Sequence, residues 1–154
     1  MLRVVWVVEL SWVGIGDLSK LELSEIVSRL KSASRNVGCV VLFIGFVREE
    51  GLMGDKVKHL HYESYGDLAI KKMEEIRKGV IDGEKVFSAI IHHAVGRVPV
   101  GEETLIVGVA AKHRAEGFKA VQEIIDKVKS EVPIWKKEVT DEGEYWIHEV
   151  EKVN

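Results

Sequence analysis

The chain is poor in residues that make covalent or metal chemistry easy to recognise. Its 154 residues include one cysteine, Cys39, which excludes an internal disulfide and any zinc cage built from thiolates. Cys39 opens the apolar run Cys39-Val-Val-Leu-Phe-Ile44, where a buried, inert thiol is the expectation. No uninterrupted apolar run approaches the ~18 residues of a membrane span. The opening Met1–Val8 is short, contains Arg3 and runs into Glu9, unlike a secretory leader, so a cytoplasmic protein is expected. Net charge is only −3; the chain as a whole has no pull toward nucleic acid, and an anion site must be a local cluster. Neither phosphate-loop pattern, Gly-x-x-x-x-Gly-Lys-Ser/Thr or Gly-x-Gly-x-x-Gly, occurs, nor does His-Glu-x-x-His. His59 and His61 could share a strand face, whereas the neighbours His92 and His93 cannot. No metal and no cofactor is therefore expected.

What the chain does have is enough apolar sequence for one domain over residues 1–154, burying roughly 70% of the surface of the unfolded chain. Valine-rich residues 3–10 read as a first strand, with Gly14, Gly16 and Asp17 marking a turn. Leu23, Ile26, Val27 and Leu30 recur at helical spacing and predict a helix from Leu21 to about Ser34. Strands follow at 39–47 and 57–65, a helix from Asp67 to about Val80, and strands at 85–95 and 103–111. Between the last two, Pro99 flanked by Gly96 and Gly101 argues for a shaped loop. Residues 114–131 make the clearest helix, with Phe118, Val121, Ile124, Ile125 and Val128 as its apolar stripe. Strands at 134–139 and 144–149 close around Asp141-Glu-Gly143 as a hairpin. This order points to an α+β fold with a largely antiparallel sheet.

The stretch Lys129-Ser-Glu-Val-Pro-Ile-Trp-Lys-Lys-Glu138 is the candidate reactive edge. Lys129 lies about 40° from Ile125 on the helical wheel, so its stem can pack on the core while its amine emerges into a groove. If Trp135 faces the core, Lys136 faces outward and Lys137 returns to Trp135's side. A solvated helix end followed by a lysine-protected strand edge explains the same residues. Arg48 stands where an apolar strand meets a Gly-rich loop. His113 and Arg114 open the long helix, where free backbone N–H groups favour an anion and a basic pair opposes the dipole unless one is bound. Cations converging on one pocket would lower a lysine's pKa by repulsion and burial; moving it from ~10.4 to ~7.5 takes about 4 kcal/mol. Such a lysine serves as nucleophile or proton shuttle near neutral pH.

Taken together, Gly38-Cys-Val-Val-Leu-Phe-Ile-Gly-Phe-Val-Arg48, Leu60-His-Tyr-Glu-Ser-Tyr65, Ile91-His-His-Ala-Val-Gly96, Val100-Gly-Glu102, His113-Arg114 and Lys129-x-x-x-Pro-x-Trp-Lys136 resemble the large, catalytic subunit of molybdopterin synthase. The resemblance implies an α/β-hammerhead-like arrangement with a small β subdomain. It implies sulfur transfer from a small ubiquitin-like subunit, carrying a C-terminal Gly-Gly thiocarboxylate, to cyclic pyranopterin monophosphate, which becomes the dithiolene of molybdopterin. Two large subunits would form the homodimer core of a heterotetramer. Lys129 and Lys136 take the catalytic positions. Phe46, Val47, Arg48, His113, Arg114, Lys137 and Glu138 take substrate-binding positions, with the His113-Arg114 pair reaching across the dimer. Phe46, Glu49 and Ala94 depart from the family pattern, which commonly has an Arg or small polar residue, Asp and Arg there. The alternatives are a non-catalytic dimeric module for a ubiquitin-like partner or phosphorylated ligand, or another lysine-dependent acyl or sulfur transferase.

Overall fold

A computed structural model describes residues 10–147, so nearly all of the strand expected over 3–10, and the end of the one expected over 144–149, lie outside the described residues. The elements run β1 (Val13–Gly16), α1 (Leu23–Lys31), β2 (Cys39–Phe46), β3 (Val57–Ser64), α2 (Gly66–Val80), β4 (Val86–Ala94), β5 (Gly96–Pro99), β6 (Glu103–Ala111), α3 (Arg114–Glu131), β7 (Ile134–Thr140) and β8 (Glu144–Trp146). Among the described residues these form two four-stranded sheets, in the orders β1-β4-β6-β2 and β5-β3-β7-β8. Every pairing is antiparallel except β1 with β4. The α+β class with mainly antiparallel pairing holds.

The first sheet is covered on both faces. Ala89, Ile91, Val107 and Val109 meet Met73 and Ile76 of α2 and Ile124 and Val128 of α3 in one apolar cluster. Ile90, Ile106 and Ala110 pack with Ile26 and Leu30 of α1 and with Leu60, Tyr62 and Val98 of the second sheet in another. Double coverage explains why β4 and β6 read as continuous apolar runs without polar alternation. Close approach of α1 depends on Gly108, where a Cβ would stand 2.7 Å from Leu30 and 2.8 Å from Leu42.

Three expectations fail for informative reasons. Gly14 and Gly16 belong to a strand, β1, not to a turn; Gly14 is small because the His92 ring lies against it, 2.7 Å from where a Cβ would be. The segment containing Pro99 is strand β5, not a loop. Among the described residues it is an edge strand paired with β3 alone, so the proline's missing N–H costs no ladder bond there. Gly96, at φ +81°, turns the chain out of β4 in the first sheet into β5 in the second. Phe118 also leaves the stripe expected of it. It is 62% exposed, and Gly117, Ala120, Val121, Ile124 and Val128 form the buried side of α3.

Candidate active site

Helix α3 stops because Pro133 disfavours helical backbone at the residue before it, and Val132 is extended accordingly, at φ −80°, ψ 128°. The Pro133 carbonyl then accepts from the Tyr65 N–H at 3.1 Å. That bond lays the next strand, β7, against β3 in the register Ser64↔Ile134, Tyr62↔Lys136 and Leu60↔Glu138. Cross-strand partners share a face, so Lys136 and Glu138 point the same way as Leu60 and Tyr62, which are core residues. The parity is opposite to the expected one. Trp135 is 37% exposed, packed edge-on against Tyr65 at 5.0 Å, while Lys136 turns inward.

Inward here means into a cavity of about 480 Å³ between the two sheets and the end of α3. Lys129 enters it from the last helical turn, where a cation also suits the helix dipole. Lys136 and Glu138 enter from β7, Arg48 and Glu50 from the β2–β3 connection, and Phe46 lies at the end of β2. The register of β2 slips between Gly45 and Phe46, a bulge that places both on the cavity wall instead of alternating them. Arg48, Lys129 and Lys136 thus face Glu50 and Glu138 across one water-accessible space.

Glu138 is only 5% exposed, and its Oε1 has no hydrogen-bond partner among the described residues. Gly51 makes room for it: a Cβ on Gly51 would lie 2.2 Å from that oxygen. Two further groups in the wall are absent from the sequence-based set. Burial pushes the Tyr62 phenol up to about 12, against a hydrogen bond with Thr104. Burial also pushes the His93 imidazole down to about 4; a bond to the Ala94 carbonyl opposes this, and the charges of Lys136 and Lys129 add to it. Tyr62 lies in a strand, Val57–Ser64, whose polar and apolar residues alternate too weakly to say which side chains face inward. His93 could be separated from His92 by parity, but nothing local said which of the two faced a cavity.

Other candidates fall elsewhere in this chain. Val47 is 3% exposed and packs in the second core cluster, not on the cavity wall. Lys137 occupies the other face of β7, with its Nζ 3.2 Å from Glu144 and 5.6 Å from the Trp146 ring centre. His113 and Arg114 are exposed at the start of α3, separated from Lys129 by about 22 Å along the helix at ~1.5 Å per residue. His59 and His61 do share a face, the outer one, where burial and then Arg97 depress the titration of His59. Among the described residues no group of three or more His, Cys, Asp or Glu side chains is placed to hold a metal. No helix among them is long and apolar enough to cross a membrane.

Comparison with known proteins adds a family to this geometry. Residues 17–131 match the family described as MoaE protein. A molybdopterin synthase catalytic subunit from Pyrococcus abyssi is 50% identical over 115 residues, covering 75% of this chain and 77% of the relative. One from Oryza sativa subsp. indica is 34% identical over 127 residues, covering 82% of this chain but 64% of its own length. The crystal structure of molybdopterin synthase from Staphylococcus aureus superposes with a TM-score of 0.75 at 27% identity, covering 87% of this chain and 93% of that one. A complex of subunits 1 and 2 of the molybdopterin-converting factor from Helicobacter pylori has the same fold, with a TM-score of 0.69 at 21% identity, over 88% of this chain and 90% of that one.

Proposed function

The chain belongs to the MoaE family of molybdopterin synthase catalytic subunits, and from that premise we propose that it transfers sulfur from a thiocarboxylated small carrier subunit to cyclic pyranopterin monophosphate, forming the molybdopterin dithiolene. The observation that carries this reading is the convergence of Arg48, Lys129 and Lys136 on one open cavity. Both reactants are anions, a cyclic phosphate and a thiocarboxylate, and their mutual repulsion opposes the encounter. Fixed cations in a partly desolvated pocket offset it and hold the reacting atoms near each other.

In this reading Lys129, at the helix end, contacts the terminal carbonyl of the carrier tail, and Lys136 moves protons as sulfur adds and the carrier leaves. Arg48 holds the phosphate. Phe46 and Glu138 shape the pocket, and the orphaned acceptor of Glu138 suits a ligand rich in N–H donors. Apolar residues at the cavity mouth, Phe46 at 53% and Leu52 at 39% exposure, suit the docking of a protein tail. The carrier is ubiquitin-like with a C-terminal Gly-Gly. The H. pylori structure, a complex of two subunits of the molybdopterin-converting factor, supports a second subunit as partner.

His113 and Arg114 serve the cavity of a second copy, which makes the active unit a homodimer at the core of a heterotetramer; Val47 and Lys137 support the pocket from behind it. The single domain works in the cytoplasm. The deciding experiment mixes the protein with thiocarboxylated carrier and the pyranopterin and looks for the dithiolene. Lys129→Ala with undiminished transfer would sink the role of that lysine. Carrier binding without product would favour a non-catalytic docking module.

A further inference from the structure

We propose that His93 is a positioning residue of the cavity: a neutral hydrogen-bond acceptor whose Nε2 orients the Lys136 ammonium. Along β4, Ala89 and Ile91 point into the α2–α3 core, and His93 continues that row to the point where it meets the cavity wall. His92, one residue earlier, faces the other way and bonds the Ser11 carbonyl through its own Nε2 at 2.7 Å. The two neighbours therefore have separate duties.

The His93 tautomer follows from its partner. Nδ1 lies 2.7 Å from the Ala94 carbonyl oxygen, which can only accept, so Nδ1 carries the proton and Nε2 keeps its lone pair. The ring is restrained by the edge-on contact of Tyr62, with centroids 4.9 Å apart and planes at 77°. Tyr62 is also the cross-strand partner of Lys136. The residue that clamps the imidazole thus sits directly beside the lysine that the imidazole serves.

The chemistry favours a neutral acceptor here. A lysine head on a flexible four-carbon stem needs a fixed partner to be held in one place. A carboxylate would hold it but also cancel the charge that an anionic ligand needs. A neutral imidazole orients the ammonium and leaves its charge intact. The charged and titratable groups around His93 are Lys136 and Glu138 from β7, Lys129 from α3, Tyr62 from β3, and Arg48 with Glu50 from the β2–β3 connection. Burial and the two lysines keep the ring in its neutral form through the physiological range.

The inference rests on the sulfur-transfer reading only for its activity readout. A long-range 1H–15N spectrum of the wild-type protein at pH 7 should show His93 protonated on Nδ1; protonation on Nε2 overturns the proposal, whatever any variant does. With 13C-labelled lysine, the Lys136 Cε titration should fall by about one pH unit in His93→Phe, which removes the acceptor. His93→Gln, which retains an acceptor, should restore most of it. In the dithiolene assay, His93→Phe should lower kcat roughly tenfold with KM for the pyranopterin within about twofold, and His93→Gln should recover most of the rate. A lower kcat with an unmoved Lys136 titration would make His93 merely structural and overturn the idea. Should wild type make no dithiolene at all, the proposed function fails while the two spectroscopic readouts still decide this one.

Discussion

The two faces of β7 each carry a lysine, and the two lysines do opposite things. Lys136 and Glu138 on the inner face share a cavity with Lys129 and Arg48. Lys137 on the outer face closes an ion pair with Glu144 and leans over Trp146. One residue of displacement separates a cation held in a recess from one spent on a half-exposed surface pair, a kind typically worth less than about 1 kcal/mol. Residue type therefore says little about role in this segment; strand parity says most of it.

Several changes would break or sharpen that contrast. The largest effect should come from Lys136→Ala, with dithiolene formation falling by about 10² or more in the reconstituted assay and the melting temperature barely changed. Lys137→Ala, its neighbour, should retain activity within about threefold. Equal losses in both would erase the distinction between the faces.

Next comes acid sensitivity. The native state holds His93 neutral, with its titration near 4 against ~6.5 in the unfolded chain. Its contribution is fully present above about pH 6.5 and is lost as pH falls toward 4, up to about 3 kcal/mol in all. Urea unfolding at pH 7 and pH 4.5 should show wild type losing more stability than His93→Gln. Burial depresses His92 too, against its bond to Ser11, so part of the slope should remain in the variant.

A third test probes the floor beneath the inner face. Gly51→Ala pushes a methyl group into the Glu138 carboxylate and toward the Asp55 carbonyl, 2.9 Å away. About 1–3 kcal/mol of destabilisation is expected, read from the shift in urea midpoint, with partial relief when Glu138→Ala is added. The smallest effect should belong to Lys137→Ala on stability, within about 1 kcal/mol and shrinking further in high salt.

Much of the fold was legible beforehand. The range of α3 is read from the 3.6-residue spacing of its apolar positions, and the strand expected over 103–111 is β6. The Asp141-Glu142-Gly143 turn was read from its composition, and β7 and β8 do pair around it. Each depends on interactions a few residues apart. The two misread segments depend on distant partners. Gly14 is explained by the His92 ring, nearly eighty residues away in sequence, and Pro99 is tolerated because β5 ends up at a sheet edge. Arg48, Lys129, Lys136 and Glu138 could be singled out from the sequence and meet at one cavity. Val47, Lys137 and the His113-Arg114 pair could be singled out equally well and do not meet it in this chain. Tyr62 and His93 do meet it without having stood out.

By itself, then, the sequence determined most of the helices and strands, where α3 ends, that one cysteine allows no internal disulfide, and the motif set that marks the family. Only the tertiary structure decided which lysines share a space. A strand's side chains alternate strictly, so pairing fixes every one of them at once, and a slip of a single residue would reverse them all. For β7 that choice was made by the Pro133–Tyr65 backbone bond and the alignment of Tyr62 with Lys136. No pattern local to residues 129–138 contains it.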